Sequence, residues 1–272
     1  MTTKINTLTA HVSVYTDAFN KRIRIDYYQG DRNEVLRIIH QHISGWVEKL
    51  IVKSYAGDLP FFISNGFVCE AFIKGYFDGV DMYFVTEYFS ANRKQSKKIQ
   101  LEESIIEKIV QEKSPVSIPD TEGIKMATLL DIRRLADVYK EIFKIYPTPL
   151  SDEEHIRKTM KDGTLYTYIE NENQIVSAAS AEVNREFKNA ELTDCATLPE
   201  AEGKGYMKKL LFFLEQKLKT DGITCCYTIA RAESYSMNKV FAQLGYAYGG
   251  RLINNCFIYS GLEDMNVWYK SL

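Results

Sequence analysis

No two of the five cysteines, Cys69, Cys195, Cys225, Cys226 and Cys256, are separated by two residues, and their number is odd. The spacing argues against a zinc ribbon, a redox CxxC pair and a disulfide framework, and fits reduced thiols in a cytoplasmic protein. The four histidines, His11, His40, His42 and His155, form no compact ligand set, so no metal is expected. Charge of one sign is missing too. With 34 basic and 36 acidic side chains the formal net charge is −2, which gives no field for collecting nucleic acid. No apolar run is long enough to span a bilayer, and residues 1–15 lack the apolar core of a signal peptide, so no membrane partner is expected. What remains is 45% hydrophobic and 26% charged over 272 residues, enough for one large domain or two of ordinary size.

Periodicity divides the chain into two α/β halves. In the first, strands are expected over residues 21–28, 49–54, 67–73 and 82–88, with helices over 32–43 and 59–63. Val35, Ile38 and Ile39 share a helical face, while Ile23 and Ile25 alternate with charged neighbours. Residues 91–100 are a polar basic run, read as a solvated loop entering a helix whose buried side carries Ile99, Ile105, Ile106 and Ile109. Pro115, Pro119 and Gly123 mark residues 113–123 as a linker. The expected division is a smaller α/β domain over 1–112, the linker, and a second domain over 124–272.

The second half begins with a strand over 125–130 and a helix over 131–145, where Leu135, Val138, Ile142 and Ile145 form the stripe and Pro147 and Pro149 stop it. A helix over 152–160, with Ser151 as N-cap, precedes strands over 164–170, 174–183 and 191–198. A helix from Gly203 to residue 219, a strand over 223–230, a helix over 234–244 and strands over 246–249 and 254–259 follow. Adjacent Cys225 and Cys226 should point to opposite faces of a sheet. Hairpin-length turns between several strands predict an α/β (α+β) fold with a mixed, mainly antiparallel sheet and flanking helices, not a doubly wound one. The order strand, helix, two strands after residue 49 recurs after residue 224, with Gly66-Phe67 and Gly245-Tyr246 in matching places. A decayed duplication and an ordinary recurrence of strand–helix–strand both fit.

The stretch richest in chemistry is residues 196–215, where a strand turns through Pro199 to Glu202 and launches a helix at Gly203 and Gly205. Helix N-termini carry unpaired N–H donors and the positive end of the macrodipole, and glycines there leave room for an anion such as pyrophosphate. The Gly-Lys-Ser/Thr ending of a triphosphate loop and the three glycines of a dinucleotide fingerprint are both missing. Glycines that merely relieve crowding at a strand-to-helix turn are the competing reading.

On Glu200-Ala-Glu-Gly203-Lys-Gly205 and the later Ala230-Arg-Ala-Glu-Ser-Tyr-Ser-Met-Asn238 and Phe241-Ala-Gln-Leu-Gly-Tyr246, the second half resembles the GNAT superfamily of N-acetyltransferases. Both glycines of that family's Gln/Arg-x-x-Gly-x-Gly/Ala loop are present, and Glu200 stands where Gln or Arg is usual. The resemblance implies the GNAT acyl-CoA N-acyltransferase fold, preceded here by the smaller domain, itself readable as a degenerate GNAT-like half. It also implies acetyl-CoA as cofactor, held along Ala196, Thr197 and Leu198, around Glu202, Gly203, Lys204, Gly205, Tyr206 and Met207, and by Asn238 and Phe241. Over residues 65–84 and 254–269 the whole chain is similar to the beta-lysine N-acetyltransferases. That implies a small-molecule amine partner, beta-lysine, acetylated at N6 to a compatible solute used in osmoadaptation; a homodimer is compatible with it. Polyamine, aminoglycoside or protein-lysine acceptors, and a non-catalytic acyl-CoA sensor, are the rival readings.

Acetyl transfer needs a neutral amine. The resemblance implies a carboxylate base on the strand before the glycine turn, Glu191 first and Asp194 as alternative; three apart on a strand, they should face opposite ways. Family members often place a tyrosine donor where Phe241 stands, and Phe241 has no proton to give; Tyr235 is the nearby substitute. For an acceptor with a carboxylate and a second amine, Arg231 is the expected carboxylate partner, Glu233, Glu182 or Asp264 the ammonium partner, and Asn254 or Asn255 a polar contact.

Overall fold

The computed structural model describes residues 2–112, 118–144, 148–258 and 261–272. Residues 113–117 of the expected linker, Ile145 and Pro147, and the last residue of the strand expected over 254–259 lie outside the described residues. The first half contains β1 (Thr2–Asn6), β2 (Ala10–Asp17), β3 (Arg22–Gly30), α1 (Arg32–Gln41), β4 (Lys49–Tyr55), α2 (Leu59–Ser64), β5 (Val68–Phe77) and β6 (Val80–Tyr88). After α3 (Ala91–Lys94) and α4 (Ile99–Glu112) come β7 (Ile124–Met126), α5 (Ile132–Ile142), α6 (Glu153–Lys161), β8 (Leu165–Asn171), β9 (Gln174–Asn184) and β10 (Asn189–Thr197). The chain then runs through α7 (Tyr206–Thr220), β11 (Cys225–Arg231), α8 (Tyr235–Gln243), β12 (Ala247–Ile258) and β13 (Gly261–Ser271).

These strands form one 13-stranded sheet in the order β1-β2-β3-β4-β6-β5-β12-β13-β11-β10-β9-β8-β7. Pairing is antiparallel except for β3 with β4 and β10 with β11. The order β1-β2-β3-β4-β6-β5 of the first half is repeated by β8-β9-β10-β11-β13-β12 in the second. Each half has its parallel pair bridged by one helix, α1 or α7, and a second helix, α2 or α8, before the last two strands. The two copies meet where β5 runs beside β12, with Ala71 opposite Gly250. Only glycine permits that approach. A Cβ on Gly249 would lie 2.3 Å from the Phe72 carbonyl oxygen, and one on Gly250 would lie 2.4 Å from that of Glu70. A shared core containing Ile51, Ala71, Tyr227, Leu252 and Met265 fills the space behind the seam.

Several expectations need correction. Strands β1, β2 and β13 are not predicted by the sequence pattern, and the strands expected over 246–249 and 254–259 are one strand, β12. Asp152, not Ser151, caps α6, its carboxylate accepting from the Glu154 amide at 3.0 Å. Helix α4 packs on α8, and Ile109 with Ile105 and Ile106 joins the core of the second half, so by packing α4 belongs there and not with residues 1–90. Ile99 is exposed and Glu102 is buried in its stead. The basic run is not wholly solvated: Arg93 is buried, 3.4 Å from Glu48 and donating to the Asn255 carbonyl at 3.3 Å. Cys225 and Cys226 do lie in different cores, on opposite faces of the sheet.

Candidate active site

Strands β10 and β11 pair through only three positions, Asn189–Glu191 against Cys225–Tyr227, and then part, while β9 still holds β10 and β13 still holds β11. A bulge between Thr193 and Ala196 bends β10 away, with Asp194 at φ +51°. The wedge is continuous with a cavity of about 980 Å³. One end is bounded by the glycine turn and α8, the other by β2, β3 and β4 of the first half.

At the first end the helix begins later than the sequence predicts. Gly203 and Gly205 are both left-handed at φ +74°, Gly205 is the N-cap of α7, and no side chain caps it. A Cβ on either glycine would meet nothing within 4 Å, so neither glycine relieves crowding inside the protein. The left-handed turn requires glycine, and the space beside it stays open in front of the first-turn amides of α7. That donor set and cradle fit a pyrophosphate. Gly203, Gly205, Tyr206, Met207, Glu202 and Thr197 all line the cavity, whereas Glu200 is exposed and does not.

Glu191 stands mid-cavity, on the last paired rung of β10, directly across from Glu182 on β9. Enclosure by protein and the Glu182 charge raise its carboxyl pKa to about 7, against the opposing pull of Lys53, Arg24 and the Tyr227 hydroxyl. Asp194 also touches the cavity, but the bulge removes it from the simple alternation that predicts opposite faces, and its carboxylate accepts from the Ser180 hydroxyl at 2.7 Å.

Some expected contacts go elsewhere. Ala196 and Leu198 are core side chains; the Ala196 carbonyl accepts from Ser177 and the Leu198 amide donates to Val176. Lys204 is exposed, its ammonium 6.0 Å from the Tyr206 ring centroid. Asn238 is fully buried and committed: it donates to the carbonyls of Arg231 and Ser234 and accepts from Asn266 and Trp268. Phe241 lines the cavity and meets Tyr246 edge-on at 5.1 Å. Tyr235 lines it too, its hydroxyl donating to Glu112 at 2.6 Å and accepting from Lys239 at 3.2 Å. Arg231 is paired bidentately with Glu263 at 2.5 and 2.9 Å. Glu233 is paired with Lys98, and Asn254 holds the carbonyls of Arg93 and Gln95. Asn255 reaches the cavity wall, where its side-chain oxygen accepts from Arg22.

The far wall is what the sequence reading misses. Tyr15, Asp17, Arg22, Arg24 and Lys53 bring the first half into the same cavity as Glu191. On β3, Arg22 and Arg24 alternate with Ile23 and Ile25, which enter the first half's core. That alternation reads as a solvated face until the second half is placed against it.

The profile of the Acetyltransferase (GNAT) family matches residues 132–246. The chain is similar to N-acetyltransferase YodP of Bacillus subtilis, 39% identical over 94% of both chains. It is similar also to a beta-lysine N(6)-acetyltransferase of Methanococcus maripaludis, 36% identical over 82% of both. Among solved structures, a GNAT superfamily phosphinothricin acetyltransferase from Sinorhizobium meliloti, in complex with AcCoA, shares the fold at TM-score 0.50 and 20% identity, over 56% of this chain and 89% of that one. The wedge between parallel strands, the glycine cradle and these relatives agree: the chain belongs to the GNAT acetyltransferase family, and is an acetyl-CoA-dependent N-acetyltransferase.

Proposed function

We propose that this enzyme acetylates the N6 amine of beta-lysine, giving N6-acetyl-beta-lysine, a compatible solute. The acceptor is that of the Methanococcus relative, at 36% identity. The observation that carries the chemistry is Glu191, an enclosed carboxyl with a pKa of about 7, between the glycine cradle and a cationic wall.

Acetyl-CoA supplies an acetyl group activated as a thioester; the chain must hold both reactants and manage the acceptor's proton. An amine of ordinary pKa, near 10.4, is neutral at pH 7 only about once in 2500, a deficit of roughly 4.6 kcal/mol. Enclosure in the cavity disfavours the ammonium, and Glu191 titrates near the working pH, where a general base is most effective. Glu182, without a partner among the described residues, remains for the acceptor's second ammonium, whereas Glu233 and Asp264 are engaged by Lys98 and by the Asn254 amide. The glycine cradle and the first amides of α7 would hold the pyrophosphate, and Phe241 offers apolar wall without a proton donor.

The test is thiol release from acetyl-CoA with lysine, beta-lysine, spermidine and an amino-terminal peptide as acceptors. Beta-lysine should exceed the others in kcat/KM by about tenfold or more, the discrimination expected when buried charges must all be met. A preference for spermidine or the peptide would overturn the acceptor assignment.

A further inference from the structure

Charge in the far wall is unbalanced. On β3 and β4, Arg24 and Lys53 share one carboxylate, Asp26: Arg24 donates to it through Nε at 3.2 Å and Nη2 at 3.0 Å, and Lys53 lies 3.2 Å away. Two cations on one anion leave the group with one positive charge whenever Glu191, which both cations also feel, is protonated. The group is also rigid. The guanidinium lies 4.7 Å from the Tyr15 ring centroid, and Lys53 donates to the Tyr76 hydroxyl at 2.9 Å. About a third of the Arg24 side chain is accessible, and that surface faces the cavity. Its Nη1 has no partner among the described residues.

The other guanidiniums of the wall are already matched. Arg22 is bound to Asp17 at 2.9 Å and to Asn255, and Arg231 to Glu263. An enclosed surplus cation with an open donor edge calls for an anion, and a guanidinium edge suits a carboxylate taken through two parallel hydrogen bonds.

We propose that Arg24, fixed by Asp26 and Lys53, binds the carboxylate of the acceptor, so that the first half of the chain selects amino acids over simple diamines. The proposal rests on the reading of beta-lysine as acceptor and adds the group that recognises its acid end. The acceptor then lies across the two halves, its carboxylate on β3 and its reacting amine at Glu191 on β10. Neither half alone holds both ends.

Kinetics with two acceptors test this: beta-lysine, and 1,4-diaminopentane, which is beta-lysine without its carboxylate. Wild-type enzyme should favour beta-lysine by about a hundredfold in kcat/KM, the range for a buried charge left unpaired. Because Arg24 also lowers the Glu191 pKa, the comparison is made at about pH 9, above the acid limb, where Arg24→Gln should raise KM for beta-lysine about thirtyfold or more, change kcat little, and leave kcat/KM for the diamine within about threefold. Arg24→Lys keeps the charge needed for folding and loses the paired geometry; it should raise KM for beta-lysine about tenfold, again sparing the diamine. Acetyl-CoA affinity should be unchanged in both variants. If the variants lower both acceptors equally, or neither, while wild type discriminates, the subsite is wrong and the acceptor reading stands. If wild type uses the diamine as well as beta-lysine, the acceptor reading falls and the subsite with it.

Discussion

Glu191 is kept protonated below about pH 7 by enclosure and by Glu182 across the strand, with Lys53 and Arg24 pulling the other way. As a base it works only when ionised, so kcat/KM should fall with acid along a limb centred near pH 7. Glu191→Gln should remove that limb and lower the maximal rate at pH 7 by about ten- to a thousandfold, with acetyl-CoA affinity little changed. The same shift bears on stability. Because the folded pKa of about 7 lies above the ordinary 4.5, stability present below pH 4.5 is lost as pH rises to 7. Glutamine cannot ionise, so the melting temperature of Glu191→Gln relative to wild type should climb between those values and level off above them. A flat difference, with the activity limb intact, would move the base elsewhere. Glu191 and the glycine turn are legible in the sequence because a strand, a turn and a helix are local. Arg24 and Lys53 are not, since the cavity they line is completed by Glu191 and the second half, more than a hundred residues away, and a charged strand face ordinarily means water.

Helix α4 buries one member of a pair of acids near its start. Glu102 Oε2 and Asp264 Oδ2 are both buried and neither accepts a hydrogen bond from a described residue, with Arg251 Nη1 3.4 Å from Glu102. A proton on Glu102 supplies the missing donor, and burial followed by the adjoining Asp264 raises the Glu102 pKa to about 8, against Arg251. The folded value again exceeds 4.5, so this contribution is present at low pH and is lost as pH rises through about 8. Amide exchange over residues 99–112, corrected for the intrinsic rate, should show α4 less protected at pH 9 than at pH 7. Glu102→Gln, which keeps a donor and cannot titrate, should hold its protection at both. Equal behaviour of the two proteins would mean that apolar packing alone docks the helix. This element also shows where periodicity fails. Its apolar stripe is readable, but Glu102 lies on the buried side and Ile99 on the open one, because the acid meets Asp264 and Arg251, about 150 residues further along the chain. Strand β13 is hidden for a related reason: residues 264–269 are buried without alternation, so no period of two appears.

At the scale of the molecule, two copies of one strand order share a sheet, yet their helix-launching turns differ. In the second half Gly203 and Gly205 leave the start of α7 open. In the first half the corresponding turn follows β3, and it is closed twice over. A Cβ on Gly30 would lie 2.1 Å from the Thr9 carbonyl oxygen, since the turn before β2 already covers it, and Asp31 caps α1 by accepting from the Glu34 amide at 2.9 Å. Asp58, paired with Arg32 at 2.5 Å, adds another carboxylate beside a small cavity lined by Tyr27, Tyr28 and Tyr55. An incoming pyrophosphate would find the helix dipole already answered and two acids facing it. Calorimetry should therefore give one acetyl-CoA per chain, and Gly203→Asp, which places a carboxylate in the single open cradle, should abolish binding altogether. Two molecules bound per chain, or binding retained in that variant, would mean that the first half carries a working cofactor cleft. With one cofactor per chain the division of labour would be asymmetric: the second half would hold the acetyl donor, and the first half would use the same strand order to wall the cavity proposed for the acceptor.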